Sequence, residues 1–293
     1  MKTIKSHFIS KGIRCDGDLL LPDGVSKPPV VIMGHGVAAQ KNFGLMPYAE
    51  RFVKKNMAVF LFDYRTFGKS DGTPRQIVDP FRHLEDWKAA IAHVRNIQEV
   101  DSSRIALWGS SFGGGHVIAT AADEEGISAV VSQVPHVSTL ALLTTKSLPD
   151  IFRSAVYGMY DLIRAALGMS PHYSPVIARP GSFAIMNTEE SYDGYMSIVG
   201  KDRKWENKLT SRVFIKILFY NPTNRAKRIK APVLIMAGAH DSLVPLAAIK
   251  KCAAKIPNCE LVVMDCNHFA PYTGDTFLKY VDQQVAFLEK HLI

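Results

Sequence analysis

Cysteine is scarce in this 293-residue sequence. Cys15, Cys252, Cys259 and Cys266 are the four, and none stands in a Cys-x-x-Cys spacing. That argues against a disulfide framework and against a cysteine zinc site, and favours reduced thiols in the cytoplasm. No apolar run approaches the roughly 18 residues of a membrane span. The N-terminal stretch MKTIKSHFISKG is basic but has no apolar h-region, so no secretory signal is expected. The net charge is +8, yet the cations are dispersed apart from small clusters at Lys201 to Lys204 and Arg225 to Lys230. No basic run is interleaved with aromatic residues. A nucleic acid partner is therefore not expected, and the charge reads as solvated surface.

Apolar residues make up 47% of the chain, enough for one large α/β domain with an inserted subdomain. Extended segments around Ile4 to Ser10 and Gly17 to Leu21 suggest an antiparallel entry to a sheet. Apolar runs without polar alternation follow at Pro29 to Gly34, Met57 to Phe62, Arg104 to Trp108, Ile127 to Val134, Pro232 to Gly238 and Glu260 to Met264. These are the pattern of strands buried on both faces. Helical spacing separates them over Pro47 to Asn56, Pro80 to Ile97, Val244 to Ile256 and Gly274 to Leu292. Such alternation predicts a mostly parallel central sheet covered on both faces by helices.

The alternation breaks once. From His136 to Arg228 no convincing buried strand occurs, and a gap this long inside a domain normally carries function. Leu140 to Thr145, Ile151 to Leu167 and Ser211 to Tyr220 read as helical. We therefore expect a core of residues 1–135 and 229–293 and an inserted, mainly helical cap of residues 136–228. The amphipathic stretch Ile151 to Leu167 is expected to pack its apolar stripe over the core rather than on a membrane.

Arg104 to Ala119 holds the chemistry. Gly109-Ser110-Ser111-Phe112-Gly113 fits G-x-S-x-G between a strand and a helix predicted from Gly114 onward. Strand, sharp turn and helix make a nucleophile elbow, with Ser111 in a strained conformation. Gly109 and Gly113 let strand and helix approach without Cβ clashes. A serine hydroxyl is a weak nucleophile and needs a base, which needs an orienting acid. In this architecture both come from loops at the carboxyl ends of strands. Asp241 follows the Pro232–Gly238 run, and His268 follows the Glu260–Met264 run. Ser, Asp, His is the chain order of an α/β-hydrolase triad. Backbone N–H groups of Val37 and Phe112 are the candidate oxyanion donors.

Rival assignments are weaker. His240 should point away from the site if Asp241 points in, and Asp265 is a lesser acid candidate. His35, His116 and Asp63 read as structural, and Cys266 as a packed thiol. His136, Leu142 and Tyr157 are candidate substrate contacts. With Leu143, Phe152, Met159 and Tyr160 they suggest an apolar pocket.

The chain resembles the α/β-hydrolase superfamily along nearly its whole length. Gly34-His-Gly36, Asp63-Tyr-Arg65 with Gly68 and Ser70, Gly109 to Gly113, Asp241 and His268 carry the resemblance. Phe62-Asp-Tyr-Arg65, Trp108 to His116 and Trp205-Glu-Asn207 are similar to bacterial YcjY-like hydrolases and fungal polyketide transferases. The resemblance implies ester, thioester or acyl-transfer chemistry on a small acyl substrate through an acyl-serine, with no metal or organic cofactor. Serine at the elbow separates the chain from relatives that use aspartate or cysteine there. The leading expectation is hydrolysis of an ester or thioester with an apolar acyl group. Acyl transfer from the same intermediate is the alternative, and a non-catalytic ligand sensor on the same fold is a third. Peptidase or amidase activity has no distinguishing residue, and a homo-oligomer is compatible with the sequence.

Overall fold

The computed structural model describes residues 1–200 and 205–293. The basic cluster Lys201 to Lys204 falls outside them.

Strands β1 (Lys2–Lys5), β2 (Phe8–Ser10), β3 (Ile13–Cys15) and β4 (Gly17–Leu21) open the chain. The expected Ile4–Ser10 segment is split: β1 joins the main sheet, while β2 pairs only with β3 across a turn in which Lys11 and Gly12 have positive φ. Then follow β5 (Pro29–Gly34), α1 (Met46–Val53), β6 (Ala58–Phe62), α2 (Pro80–Val94), β7 (Asp101–Ser110), α3 (Phe112–Ala121) and β8 (Ile127–Gln133). The insertion carries α4 (Thr139–Leu143), α5 (Leu148–Ala166), β9 (Tyr173–Ser174), α6 (Ser191–Val199), β10 (Leu209–Thr210) and α7 (Val213–Lys216). The chain then returns through β11 (Val233–Gly238), α8 (Leu246–Ala253), β12 (Cys259–Met264) and α9 (Gly274–Leu292).

Eight strands form one sheet in the order β1-β4-β6-β5-β7-β8-β11-β12. The two pairings that involve β4 are antiparallel and the rest are parallel. Every residue of β5, β6 and β11 is buried, as helices on both faces require. Two apolar layers result, one on each face. Trp87 and Phe60 belong to one, Trp108 and Tyr280 to the other. Helix α2 shows the local logic. Pro80 opens it, and the Asp79 carboxylate accepts the N–H groups of Phe81 and Arg82.

Three expectations need correction. β12 is an edge strand, with Glu260 and Val263 exposed, because nothing pairs beyond it among the described residues. α3 starts at Phe112, two residues earlier than expected, because the turn at Ser111 is complete in one residue. The third concerns α5, whose broad apolar stripe faces outward. Phe152 is 72% exposed and Leu167 69%. The inward face is built around Gly158 and Asp161 instead. A Cβ on Gly158 would lie 2.8 Å from Ile215, and Asp161 is fully buried in a two-oxygen pairing with Arg212. A buried ion pair and a glycine contact therefore fix the rotation of α5, and its hydrophobic stripe does not.

Candidate active site

Ser111 sits between β7 and α3 at φ 57°, ψ −118°, a conformation that costs a non-glycine residue on the order of 1–3 kcal/mol. The surroundings hold it there. Its N–H donates to Gln133 O at 2.9 Å, and its carbonyl accepts from His136 N at 2.9 Å. The flanking glycines are required by contact. A Cβ on Gly109 would lie 2.1 Å from Gly113 O, and one on Gly113 would lie 2.6 Å from Gly34 O.

A buried polar chain lies beneath the turn. Trp108 Nε1 donates to Gln284 Oε1 at 2.8 Å, and Gln284 Nε2 donates to Gln133 Oε1 at 2.8 Å. Gln133 Nε2 donates to Ser110 Oγ at 3.1 Å, and Ser110 shares a 2.5 Å bond with the Tyr272 hydroxyl. The chain ties β7 and β8 to α9, so the residue before Ser111 is anchored from three elements.

His268 Nε2 lies 3.0 Å from Ser111 Oγ, and His268 Nδ1 lies 2.7 Å from Asp241 Oδ2. The other Asp241 oxygen accepts the N–H groups of Leu243 and Val244, each at 2.8 Å, which fixes the carboxylate. The side chains of His268 and Asp241 are 2% and 0% exposed. Burial disfavours the imidazolium, but the Asp241 carboxylate and then Glu190 outweigh it, so the His268 pKa is raised. Serine, histidine and aspartate, far apart in sequence, are thus joined in one hydrogen-bonded line.

The rivals are placed elsewhere. His240 bonds to Asp265 at 2.7 Å on the surface. Cys266 Sγ packs 3.4 Å from the Tyr280 hydroxyl. His35 is buried with Nδ1 3.0 Å from Gly36 O, and burial pushes its pKa down to about 4. His116 joins a buried line from His83 to the Tyr220 hydroxyl. Asp63 accepts the N–H groups of Lys41 and Lys69.

Gly36 approaches Ser111 closely: a Cβ there would be 3.3 Å from the serine Cβ. Val37, the next residue, lines the space at Ser111, and the Phe112 N–H, first in α3, has no intrahelical acceptor. From the insertion, the Tyr195 hydroxyl donates to Val37 O at 2.9 Å and Trp205 Nε1 to Ala38 O at 3.1 Å. Asn207 in the same motif bonds to the backbone of Val176 and Ile177.

The space at Ser111 is small. A cavity of about 10 Å³ lies between Ser111, His268, Val37, Met186 and Tyr195, enough for about one water. A larger apolar cavity of about 190 Å³ lies inside the insertion, lined by Leu142, Ile151, Ala155, Ile185 and Phe214 among others. Ile185 and Met186 are adjacent, so one backbone step separates the two spaces. Of the candidate contacts, Leu142 lines the large cavity. His136 is buried with Nε2 3.2 Å from Thr139 Oγ1, and Thr139 is also at the cavity wall. Burial, and then its proximity to His268, push the His136 pKa down to about 4. Tyr157 packs on His172 and Phe183 and lines neither space. Phe152, Met159 and Tyr160, expected at the pocket, lie on the outer face of α5.

Glu190 is the residue that sequence reading did not find. It stands just before α6 in the insertion and accepts the His268 N–H at 2.8 Å. Helix α6 was itself unread, because Gly194 interrupts its pattern. That glycine exists for contact, since a Cβ there would meet the Phe269 ring at 2.3 Å.

A mostly parallel sheet with a serine on the strand-to-helix turn, and an acid and a histidine after later strands, defines an α/β-hydrolase. The chain is an enzyme of that class. It belongs to the serine aminopeptidase S33 family, whose model matches residues 26–268. It is 36% identical over 290 residues to the quorum-quenching protein AidA of Acinetobacter baumannii (strain MDR-ZJ06), covering 97% of this chain and 93% of AidA. It is 26% identical over 286 residues to the polyketide transferase af380 of Aspergillus fumigatus (strain ATCC MYA-4609 / CBS 101355 / FGSC A1100 / Af293), covering 95% and 96%. The fold matches the solved structure of DcsB in complex with its substrate analogue at a TM-score of 0.87 and 23% identity, over 99% of both chains.

Proposed function

We propose that the protein is a serine hydrolase that cleaves a carboxylic ester or thioester with an apolar acyl group through an acyl-Ser111 intermediate. The observation that carries this reading is the line Ser111 Oγ–His268 Nε2 at 3.0 Å and His268 Nδ1–Asp241 Oδ2 at 2.7 Å. Asp241 accepts at Nδ1, which leaves Nε2 to take the serine proton as Oγ attacks the carbonyl carbon. The N–H groups of Val37 and Phe112 receive the developing oxyanion. His268 then returns its proton to the leaving alcohol or thiol, and water releases the acid by the same steps. The cap cavity beside Leu142 supports an apolar acyl group. The four cysteines, all unpaired thiols, support a cytoplasmic location.

Acyl transfer is the second reading. The enclosed space at Ser111 favours it, because an acyl-enzyme sheltered from bulk water can await another acceptor. The name of the fungal relative af380 points the same way. A sensor without catalysis has less support, since a strained, fully bonded nucleophile is costly to keep for binding alone.

Intact mass after a fluorophosphonate, with wild type, Ser111→Ala and His268→Ala, is the first test. One adduct on wild type, absent from both variants, is expected. No adduct on folded wild type would sink the reading. A chain-length series of esters and thioesters then defines the acyl group, and product ratios with and without added alcohols, amines or thiols separate hydrolysis from transfer.

A further inference from the structure

Helix α5 presents an unusual surface. Leu148, Phe152, Val156, Met159, Ile163 and Leu167 are between 47% and 82% exposed. At 3.6 residues per turn they fall within about 50° of one line along the helix. The exposed positions between Leu148 and Ala166 carry one charged side chain, Arg153, whose guanidinium lies 5.3 Å over the Phe183 ring at the flank. With Tyr160, side chains of this size and exposure present on the order of 800 Å² of apolar surface. The largest apolar patch on a typical monomer is about 300–600 Å². A standard interface takes about 800 Å² from each partner, so α5 alone approaches what a stable dimer needs.

The order of the residues identifies the occupant. Leu148 and Leu167, Phe152 and Ile163, and Val156 and Met159 are each equidistant from the point between Tyr157 and Gly158. Tyr160 and the exposed Ala155 form a fourth such pair. A two-fold axis through that point, on the exposed side, sets each residue against its counterpart in an antiparallel second helix. An isologous interface requires this self-complementarity, and a lipid surface gives it no meaning. A lipid-binding helix would also need a row of cations beside the stripe. Here Arg164 is taken up by Ser170 O and Oγ, which leaves Arg153 as its exposed cation. The two Arg153 side chains of a pair would lie about 14 Å apart along the helix axis, so they do not oppose pairing.

We infer that two copies of this chain pair through α5, antiparallel about a two-fold axis between Tyr157 and Gly158. The interface joins cap to cap and leaves both sheets outside it. Ile151 and Ala155, at the edge of the stripe, also line the large cavity, so pairing also braces the cavity wall.

Sedimentation velocity from nanomolar to tens of micromolar protein is the test. Wild type is expected at twice the 32.4 kDa chain mass. Val156→Glu and Met159→Lys should each weaken pairing by at least about 100-fold, because each buries an unpaired charge. Both positions are exposed in the single chain, so their melting temperatures should stay within a few degrees of a monomeric reference. Mixing the two variants should restore a dimer. The carboxylate introduced by Val156→Glu in one copy then meets the ammonium introduced by Met159→Lys in the other, and the second contact keeps Val156 against Met159. Ile9→Glu, on an exposed apolar residue of β2, should change nothing. A monomeric wild type at tens of micromolar, a dimer that survives Val156→Glu, or a mixture that stays monomeric would each overturn the proposal. So would a monomer that binds anionic phosphatidylserine vesicles through the same stripe.

Discussion

Glu190 receives the backbone N–H of His268 at 2.8 Å on one carboxylate oxygen and that of Ser242 at 2.8 Å on the other. The Ser242 hydroxyl donates to the same carboxylate. One side chain from the insertion therefore spans the loops after β11 and β12, which carry Asp241 and His268. Its charge also favours the imidazolium. Glu190→Gln should lower the His268 pKa, because it removes a negative charge beside the ring. The acid limb of kcat/KM, where His268 must be neutral to act as base, should then move to lower pH. Glu190→Ala, which also loses the backbone bonds, should reduce kcat/KM by about 10–100-fold, the range of a hydrogen bond to a charged group. A pH–rate profile of both variants checks this, and an unmoved limb in Glu190→Gln refutes it.

Asp241 has two jobs on two oxygens. Asp241→Asn can keep the bonds from Leu243 and Val244 but no longer favours the imidazolium, so activity should fall by about 10⁴ with little loss of stability. Asp241→Ala should cost a further ~1–3 kcal/mol in unfolding free energy, because the turn loses its acceptor. Steady-state rates and urea unfolding of the pair separate the two effects.

Stability should fall as pH drops from 7 to 5. His35 and His136 have pKa values near 4 in the folded protein, against an ordinary 6.5, because burial disfavours their charged forms. His83 and His116 are lowered as well. The unfolded chain binds protons that the native state refuses between about pH 6.5 and 4, so acid draws the equilibrium toward unfolding. Each of His35 and His136 should contribute about 1–2 kcal/mol of loss by pH 5. Denaturant midpoints at several pH values measure the slope. Asp63, whose carboxyl pKa burial raises to about 6, takes up a proton on folding in the same window and offsets part of this loss. A stability that rises as pH drops from 7 to 5 would contradict the assignment of these rings as neutral.

Leu142→Trp should narrow the cap cavity. The longest accepted acyl esters should lose about 10–200-fold in kcat/KM, while acetyl esters are untouched. Equal losses on every chain length would mean that the acyl group lies elsewhere.

Much of the fold was legible because buried parallel strands leave uninterrupted apolar runs. Pro29–Gly34 and Gly274–Leu292 fell on their observed bounds. The positions of Ser111, Asp241 and His268 were legible for a related reason, since glycines at a tight turn and polar residues at strand ends leave local marks. The insertion was not. Apolar periodicity in α5 predicts a face that seeks cover, but it does not say which neighbour covers it. The rotation of α5 was set by Asp161 meeting Arg212, about fifty residues away, and no local pattern encodes that meeting. Glu190 was invisible for the same reason. Its role is a bond to a backbone amide of His268, and backbone amides have no sequence signature.

Room for about one water beside Ser111 ties two properties of turnover together. If Ser111 takes up an acyl group, the group that departs as it forms and the group that later receives the acyl chain both pass through this space, which Tyr195 walls in part. By microscopic reversibility the exit of one is the entrance of the other. The bulk of the best leaving group is therefore a ruler for the bulk of the best acceptor. If good substrates carry small leaving groups, water wins by size alone; if they carry large ones, the vacated volume is a mould for the molecule that receives the acyl chain.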